Sequence, residues 1–226
     1  MTETKDLTAI WDAGGVLYTF DQSITDRKLS QDSGRSLEEI SAILFGGSAH
    51  GREYNQGLVE PYNLGNIDSL EFYKRLKKAL GLKMDYSEFA DAWSNIFTPN
   101  TEILEFIKRV HTAGYRQGIL SSTNPLHWYG MRRIFDLESL LGRERIVCTF
   151  DLDAGEKKPH PKLFDLALRR TGGIKDRTKT AYLDDVLKYA TAADNYGIKG
   201  IHVDNTKPDF QERCIEDAIR FGINTD

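Results

Sequence analysis

Four polar clusters in this chain hold residue types that could do chemistry together: Asp12, Ser121, Lys158 and the adjacent pair Asp184 and Asp185. A carboxylate can act as a nucleophile, a metal ligand or both. Two or three carboxylates crowded at one place repel one another, and their pKa values rise unless a cation sits between them. Oxygen ligands with open positions suit Mg²⁺, which takes a couple of carboxylates, waters and a phosphate oxygen. A serine hydroxyl can donate to a phosphate oxygen, and a lysine can neutralise the phosphate while pairing with the nucleophile. Carboxylate nucleophile, cation, hydroxyl and lysine are the parts that phosphoryl transfer through an aspartyl-phosphate requires.

The elements that must position these groups are legible around them. In Thr8-Ala9-Ile10-Trp11-Asp12 an apolar run ends on an aspartate, which predicts a buried strand carrying Asp12 at its C-terminal tip. Gly14 and Gly15 follow and let the backbone fold tightly around whatever binds there. After Asn100 strands and helices alternate. Strands are expected over 115–120, 145–150, 178–183 and 199–203, with helices between them, a pattern that implies a parallel sheet with helices on both faces. Ser121, Lys158, Asp184 and Asp185 fall at or just after strand ends, so one rim of one sheet would collect them. From Phe20 to about Phe97 the pattern is helical, with no strand-like run. Ser36 with Glu39 and Asp85 with Glu88 are capping-box signatures, and Phe89, Trp93 and Phe97 recur at four-residue spacing as a core stripe. Asn100 is expected to cap the next helix.

Composition excludes several partners. The 226 residues are 40% hydrophobic and 28% charged, with a net charge of −4. That is an ordinary globular balance with no global field for nucleic acid or anionic membranes. No apolar run reaches membrane-spanning length, and Met1 to Asp6 is too polar for a secretory signal, so a cytoplasmic location is expected. Cys148 and Cys214 lack metal-ligand spacing and read as reduced thiols.

The motifs together resemble those of the haloacid dehalogenase (HAD) superfamily, over essentially Leu7 to Asp204. Asp12 stands at the nucleophile of the first motif, Ser121 at the second within Ile119 to Asn124, Lys158 at the third within Lys158-Pro159-His160-Pro161, and Asp184 with Asp185 at the fourth. The resemblance implies a Rossmann-like three-layer α/β/α core, residues 1–17 and 99–226, with an inserted helical cap, residues 18–98. It further implies a Mg²⁺-dependent phosphatase. Asp12, the Gly14 carbonyl, Asp185 and Asp184 would be at the metal, with Asp185 bonded directly and Asp184 shared or one step removed. Gly14, Gly15, Ser121, Ser122, Asn124 and Lys158 would surround the phosphate. The double glycine, the Ser-x-Thr-Asn stretch and the cap phrase Tyr54 to Glu60 are most similar to sugar-phosphate phosphatases of the glucose-1-phosphatase type, so the expected partner is a small phosphorylated metabolite. The chain is expected to be a monomer or homodimer.

Two positions depart from the family pattern. Gly14 stands where family phosphatases place an aspartate as general acid and base, and Tyr189 where relatives usually place asparagine. The first departure motivates a non-catalytic alternative, a binding or regulatory protein that kept the site. Metal-free dehalogenase chemistry is the enzymatic alternative, opposed by the mutual repulsion of Asp184 and Asp185. His127, close behind the second motif, is a further candidate substrate contact.

Overall fold

The computed structural model describes residues 5–49, 52–54, 57–172 and 176–225. Within the cap phrase, Asn55, Gln56 and the side chain of Tyr54 lie outside the described residues, as do the side chains of Arg52 and Glu53.

The chain starts with β1 (Lys5–Trp11) and β2 (Tyr18–Phe20), then enters the cap segment. There it forms α1 (Gln22–Ser33), α2 (Leu37–Phe45), β3 (Gly47–Ala49), β4 (Arg52–Tyr54), α3 (Val59–Asn63), α4 (Ser69–Leu80) and α5 (Tyr86–Ser94). It returns through β5 (Phe97–Pro99) and α6 (Thr101–Thr112) to β6 (Tyr115–Ser121), α7 (Pro125–Ile134), α8 (Leu137–Leu141) and β7 (Ile146–Cys148). The remainder is α9 (Pro161–Thr171), β8 (Thr180–Asp184), α10 (Leu187–Asn195), β9 (Lys199–His202) and α11 (Phe210–Arg220).

Five strands form one parallel sheet in the order β7-β6-β1-β8-β9. Helices cover both faces, so β1, β6 and β8 are buried on both sides and read as near-continuous apolar runs. One polar residue inside is explained by its bonds. Gln117 accepts from the indole of Trp11 at 3.1 Å and donates to the Ile107 carbonyl at 3.1 Å. The result is the Rossmann-like α/β architecture expected, with the strand order reversing at β1.

The cap segment is helical with two exceptions to the expectation of no strands. β2 and β5 pair antiparallel where the chain leaves and re-enters the core, and β3 pairs with β4. Each has three residues, too short for alternation to register in sequence. Both capping boxes form, on α2 and α5. The apolar stripe behaves as core: Phe72, Phe89 and Trp93 pack with Tyr62, Leu76 and Leu80 in a cluster that Leu126 of α7 completes from the core side. Phe97 is not part of the stripe, because α5 ends at Ser94 and Phe97 lies on β5. Asn100 differs too. It occupies the cap position of α6, but its side chain makes no capping bond and donates instead to the Val16 carbonyl at 2.7 Å, tying the re-entry strand to the loop after Asp12. Among the described residues no helix is long and apolar enough to cross a membrane.

Candidate active site

Register alone brings the polar clusters together. Trp11 pairs with Ile119 on one side and Leu183 on the other, so the residues following each strand emerge at one rim. Asp12 continues the ladder by one bond, its amide donating to the Leu183 carbonyl at 2.9 Å. Lys158 reaches the same rim from the loop between β7 and α9. Its ammonium lies 2.9 Å from Asp12 Oδ1, 2.8 Å from Asp184 Oδ2 and 3.0 Å from the Tyr182 hydroxyl. Tyr182 shares a strand face with Asp184 because side chains alternate with period two, and its hydroxyl also bonds the Asp184 carboxylate. Asp184 Oδ1 accepts from the Val186 amide at 2.8 Å. Its two oxygens are thus engaged in holding Lys158 and the following turn. Asp185 is half-buried and accepts from Asn205 Nδ2 at 3.1 Å. Neither Tyr182 nor Asn205 was anticipated. Strand periodicity could have placed Tyr182, whereas nothing local marks Asn205.

The charge balance is uneven. Asp12, Asp184 and Asp185 each offer an oxygen within 4.8 Å of the others, against one buried lysine. Burial raises the Asp12 carboxyl to about 7, with Asp184 and Asp185 adding to the rise and Lys158 opposing it. Burial and Asp184 raise Asp185 as well. Burial alone would discharge Lys158, but Asp12 and Asp184 hold its pKa above the ordinary lysine value. An added cation would relieve this excess of negative charge, and the all-oxygen donor set fits a hard divalent ion. Gly15 makes room for the cluster. It has φ +82°, and a Cβ there would lie 2.1 Å from Asp185 Oδ2. Gly14 is different: a Cβ there would meet only the Phe20 ring, at 3.6 Å, and its φ is not left-handed.

The second-motif residues divide. Ser121 is buried at the end of β6, while Ser122 is exposed and lines a cavity of about 310 Å³ between cap and core, together with Lys158 and Tyr189. Asn124 does not reach toward a ligand. Its Oδ1 accepts from the His127 amide at 3.0 Å and the Trp93 indole at 3.2 Å. Its Nδ2 donates to Asn63 Oδ1 at 3.0 Å and lies 3.1 Å from His127 Nδ1. The side chain of Asn124, expected at the phosphate, is thus engaged with the cap and with α7. His127, the further candidate contact, is packed against the cap. Its ring stacks on Trp93 at 5.3 Å and meets Phe97 edge-on, and burial lowers its pKa to about 3, so it is a neutral packing residue. Tyr189 lays its ring over the Lys158 ammonium, 5.1 Å from the centroid, within cation–π range.

Comparison with known proteins bears on the family and the fold. Residues 51–203 match the haloacid dehalogenase-like hydrolase family, a span that holds Ser121, Lys158, Asp184 and Asp185 but not Asp12. A HAD family enzyme of Bacteroides thetaiotaomicron, solved with magnesium and inorganic phosphate, is 18% identical with a TM-score of 0.71, over 89% of this chain and 96% of that one. A predicted HAD-like family hydrolase from Porphyromonas gingivalis is 20% identical with a TM-score of 0.71, over 95% and 98%. A HAD phosphatase from Thermococcus onnurineus is 17% identical with a TM-score of 0.56, over 87% and 86%. At such identities these structures speak to the fold. The family match covers most of the chain and contains three of the four clusters that the sheet gathers at one rim: the chain belongs to the haloacid dehalogenase-like hydrolase family.

Proposed function

We propose that this protein is a Mg²⁺-dependent phosphatase acting on a small phosphate monoester, with Asp12 as nucleophile. The observation that carries the reading is the excess of carboxylate at the rim, Asp12, Asp184 and Asp185 around one buried lysine. Asp12 and Asp185 would hold the ion with the Gly14 carbonyl, and the ion would offset phosphate charge. Asp184 orients Lys158 toward Asp12, and Ser121 with Ser122 and the backbone at Gly14 and Gly15 would surround the phosphate. The Asp12 carboxylate forms a bond to phosphorus as the ester P–O bond breaks, the leaving oxygen departing with the electron pair. Water then hydrolyses the aspartyl-phosphate, releasing inorganic phosphate and restoring Asp12. The bound magnesium and phosphate in the Bacteroides enzyme support the same reading. The core would comprise 1–17 and 99–226 and the cap 18–98.

The test is phosphate release from a panel of phosphate monoesters, sugar phosphates among them, with Mg²⁺ and with chelator. Activity that disappears reversibly on chelation, and in Asp12→Asn, is the expected result. Asparagine is nearly isosteric, so the circular dichroism of the folded variant should match that of the parent. Phosphate release indifferent to chelator would overturn the metal requirement, and halide release without phosphate release would favour metal-free dehalogenase-type chemistry instead.

A further inference from the structure

We infer that the leaving group accepted by this site is flat and largely apolar, a phenol or enol rather than a polyol; the chemistry rests on the phosphatase reading above, the shape on the cavity beside Lys158. That cavity, about 310 Å³, lies between α2 and α3 of the cap and α10 of the core. It is at the small end of ligand pockets, roughly 300–1,000 Å³, and suits a phosphate with one ring. Leu44, Phe45, Val59, Leu64 and Tyr189 supply its apolar wall.

Several of its polar groups are engaged elsewhere. Lys157 and Glu60 pair with each other at 2.8 Å across the mouth. Asn63 Oδ1 accepts from Asn124, and the Thr149 hydroxyl donates to the Thr123 carbonyl at 3.3 Å. Beyond the Ser122 hydroxyl and the Asn63 amide N–H groups a polyol moving in from water would find few free partners, whereas an aromatic face would lose only apolar hydration. The Tyr189 ring adds a flat wall next to the lysine that would hold the phosphate.

A second observation points the same way. Gly14 carries no acid, and among the described residues lining the cavity the one carboxyl, Glu60, and the Lys157 ammonium are paired with each other. The Lys158 ammonium is held by Asp12 and Asp184, which leaves the Tyr189 hydroxyl, a weak acid, as the remaining side-chain donor apart from Ser122 and Asn63. A phenolate or enolate departs with the electron pair of the broken P–O bond and takes its proton afterwards from water. An alkoxide leaves far less readily without a donor.

Calorimetric titration of the Mg²⁺-loaded protein with phenylphosphonate and 2-hydroxyethylphosphonate separates shape from turnover. The phenyl compound should bind about tenfold tighter, the size expected of one good aromatic contact. Tyr189→Asn should bring that ratio close to one, and Tyr189→Phe should keep it. Phe45→Ser, at an exposed position on the cavity rim, should lower the ratio without relying on Tyr189, and thermal melts show whether each variant is folded. Equal binding of the two phosphonates to the parent, or a ratio unmoved in both Tyr189→Asn and Phe45→Ser, overturns the inference. Preferential phenyl binding with no hydrolysis of any phosphate ester sustains the flat, apolar shape of the site and sinks the phosphatase reading instead. Hydrolysis with no phenyl preference does the reverse.

Discussion

Gly14 and Gly15 are neighbours of the same residue type, but a methyl group added to each meets different surroundings. At Gly15 the backbone is left-handed, and Cβ would collide with the Asp185 carboxylate. At Gly14 there is ordinary contact with Phe20 and no conformational demand for glycine. Gly15→Ala should therefore push Asp185 out of place and weaken Mg²⁺ binding by tenfold or more, about 1.4 kcal/mol, while Gly14→Ala should leave Mg²⁺ affinity within twofold. Calorimetry with the metal alone checks both, and equal losses in the two variants would refute the distinction. The same geometry bears on restoring an acid. The space around Gly14 admits a side chain, so Gly14→Asp should fold. If a missing proton donor limits turnover, Gly14→Asp should raise kcat/KM on alkyl phosphates more than on aryl ones. A wild-type rate independent of leaving-group pKa would place a general acid elsewhere.

At the scale of elements, the cap is joined to the core by more than its two connecting strands. Asn124, at the start of α7, bonds Trp93 of α5 and Asn63 of α3. Leu126 extends the cap cluster, and its amide donates to the Tyr62 hydroxyl at 3.2 Å. At Gly130 a Cβ would lie 2.1 Å from the Ser94 carbonyl, so glycine permits α5 to lie directly on α7. Asn124→Ala removes one capping bond and two cap–core bonds at once, and leaves the buried Trp93 indole N–H without its acceptor. A loss of about 2–3 kcal/mol in denaturant unfolding is expected, with inorganic phosphate affinity changed less than threefold. Weakened phosphate binding at undiminished stability would return Asn124 to the phosphate site. The exposed Lys157–Glu60 pair, by contrast, should contribute about 0–1 kcal/mol to stability; its place across the cavity mouth matters more than its strength.

For the whole molecule, the carboxylate excess couples stability to pH and metal. Asp12 in the folded metal-free protein titrates near 7, above the ordinary value of 3.8. Between those two values the folded state holds a proton that the unfolded state has lost, so this group's contribution to stability falls as pH rises across the window. Above about 7 the full cost of an ionised, buried Asp12 is present. A divalent ion competes with protons for the same carboxylates and offsets that cost. Saturating Mg²⁺ should consequently raise Tm more at pH 8 than at pH 5.5, which melts at the two pH values with and without the ion would measure. A Mg²⁺ effect that is equal at both, or larger at pH 5.5, would show that Asp12 is not among the groups the ion relieves.

Local pattern was enough for some features because local physics decides them. Capping chemistry placed the starts of α2 and α5, apolar runs ending in polar residues placed Asp12 and Ser121 at strand tips, and strand–helix alternation specified a parallel sheet whose rim must collect them. The tertiary structure alone decided what depends on approach between distant segments. Asn100 looked like a helix cap but bonds the Val16 carbonyl, because the re-entering chain passes beside the loop after β1. Asn124 and His127 sit next to the second motif in sequence, yet the cap packs against them: Trp93 and Asn63 bond the Asn124 amide, and Trp93 stacks on the His127 ring. Asn205 lies 20 residues beyond Asp185, and its contact arises only where the chain beyond β9 comes back alongside Gly15. Phe97 had the spacing of a helical stripe, but the helix ends before it. Residue type and spacing determine which groups can react; which of them face the cavity, and which are held by neighbours, is set by long-range packing that no window of sequence contains.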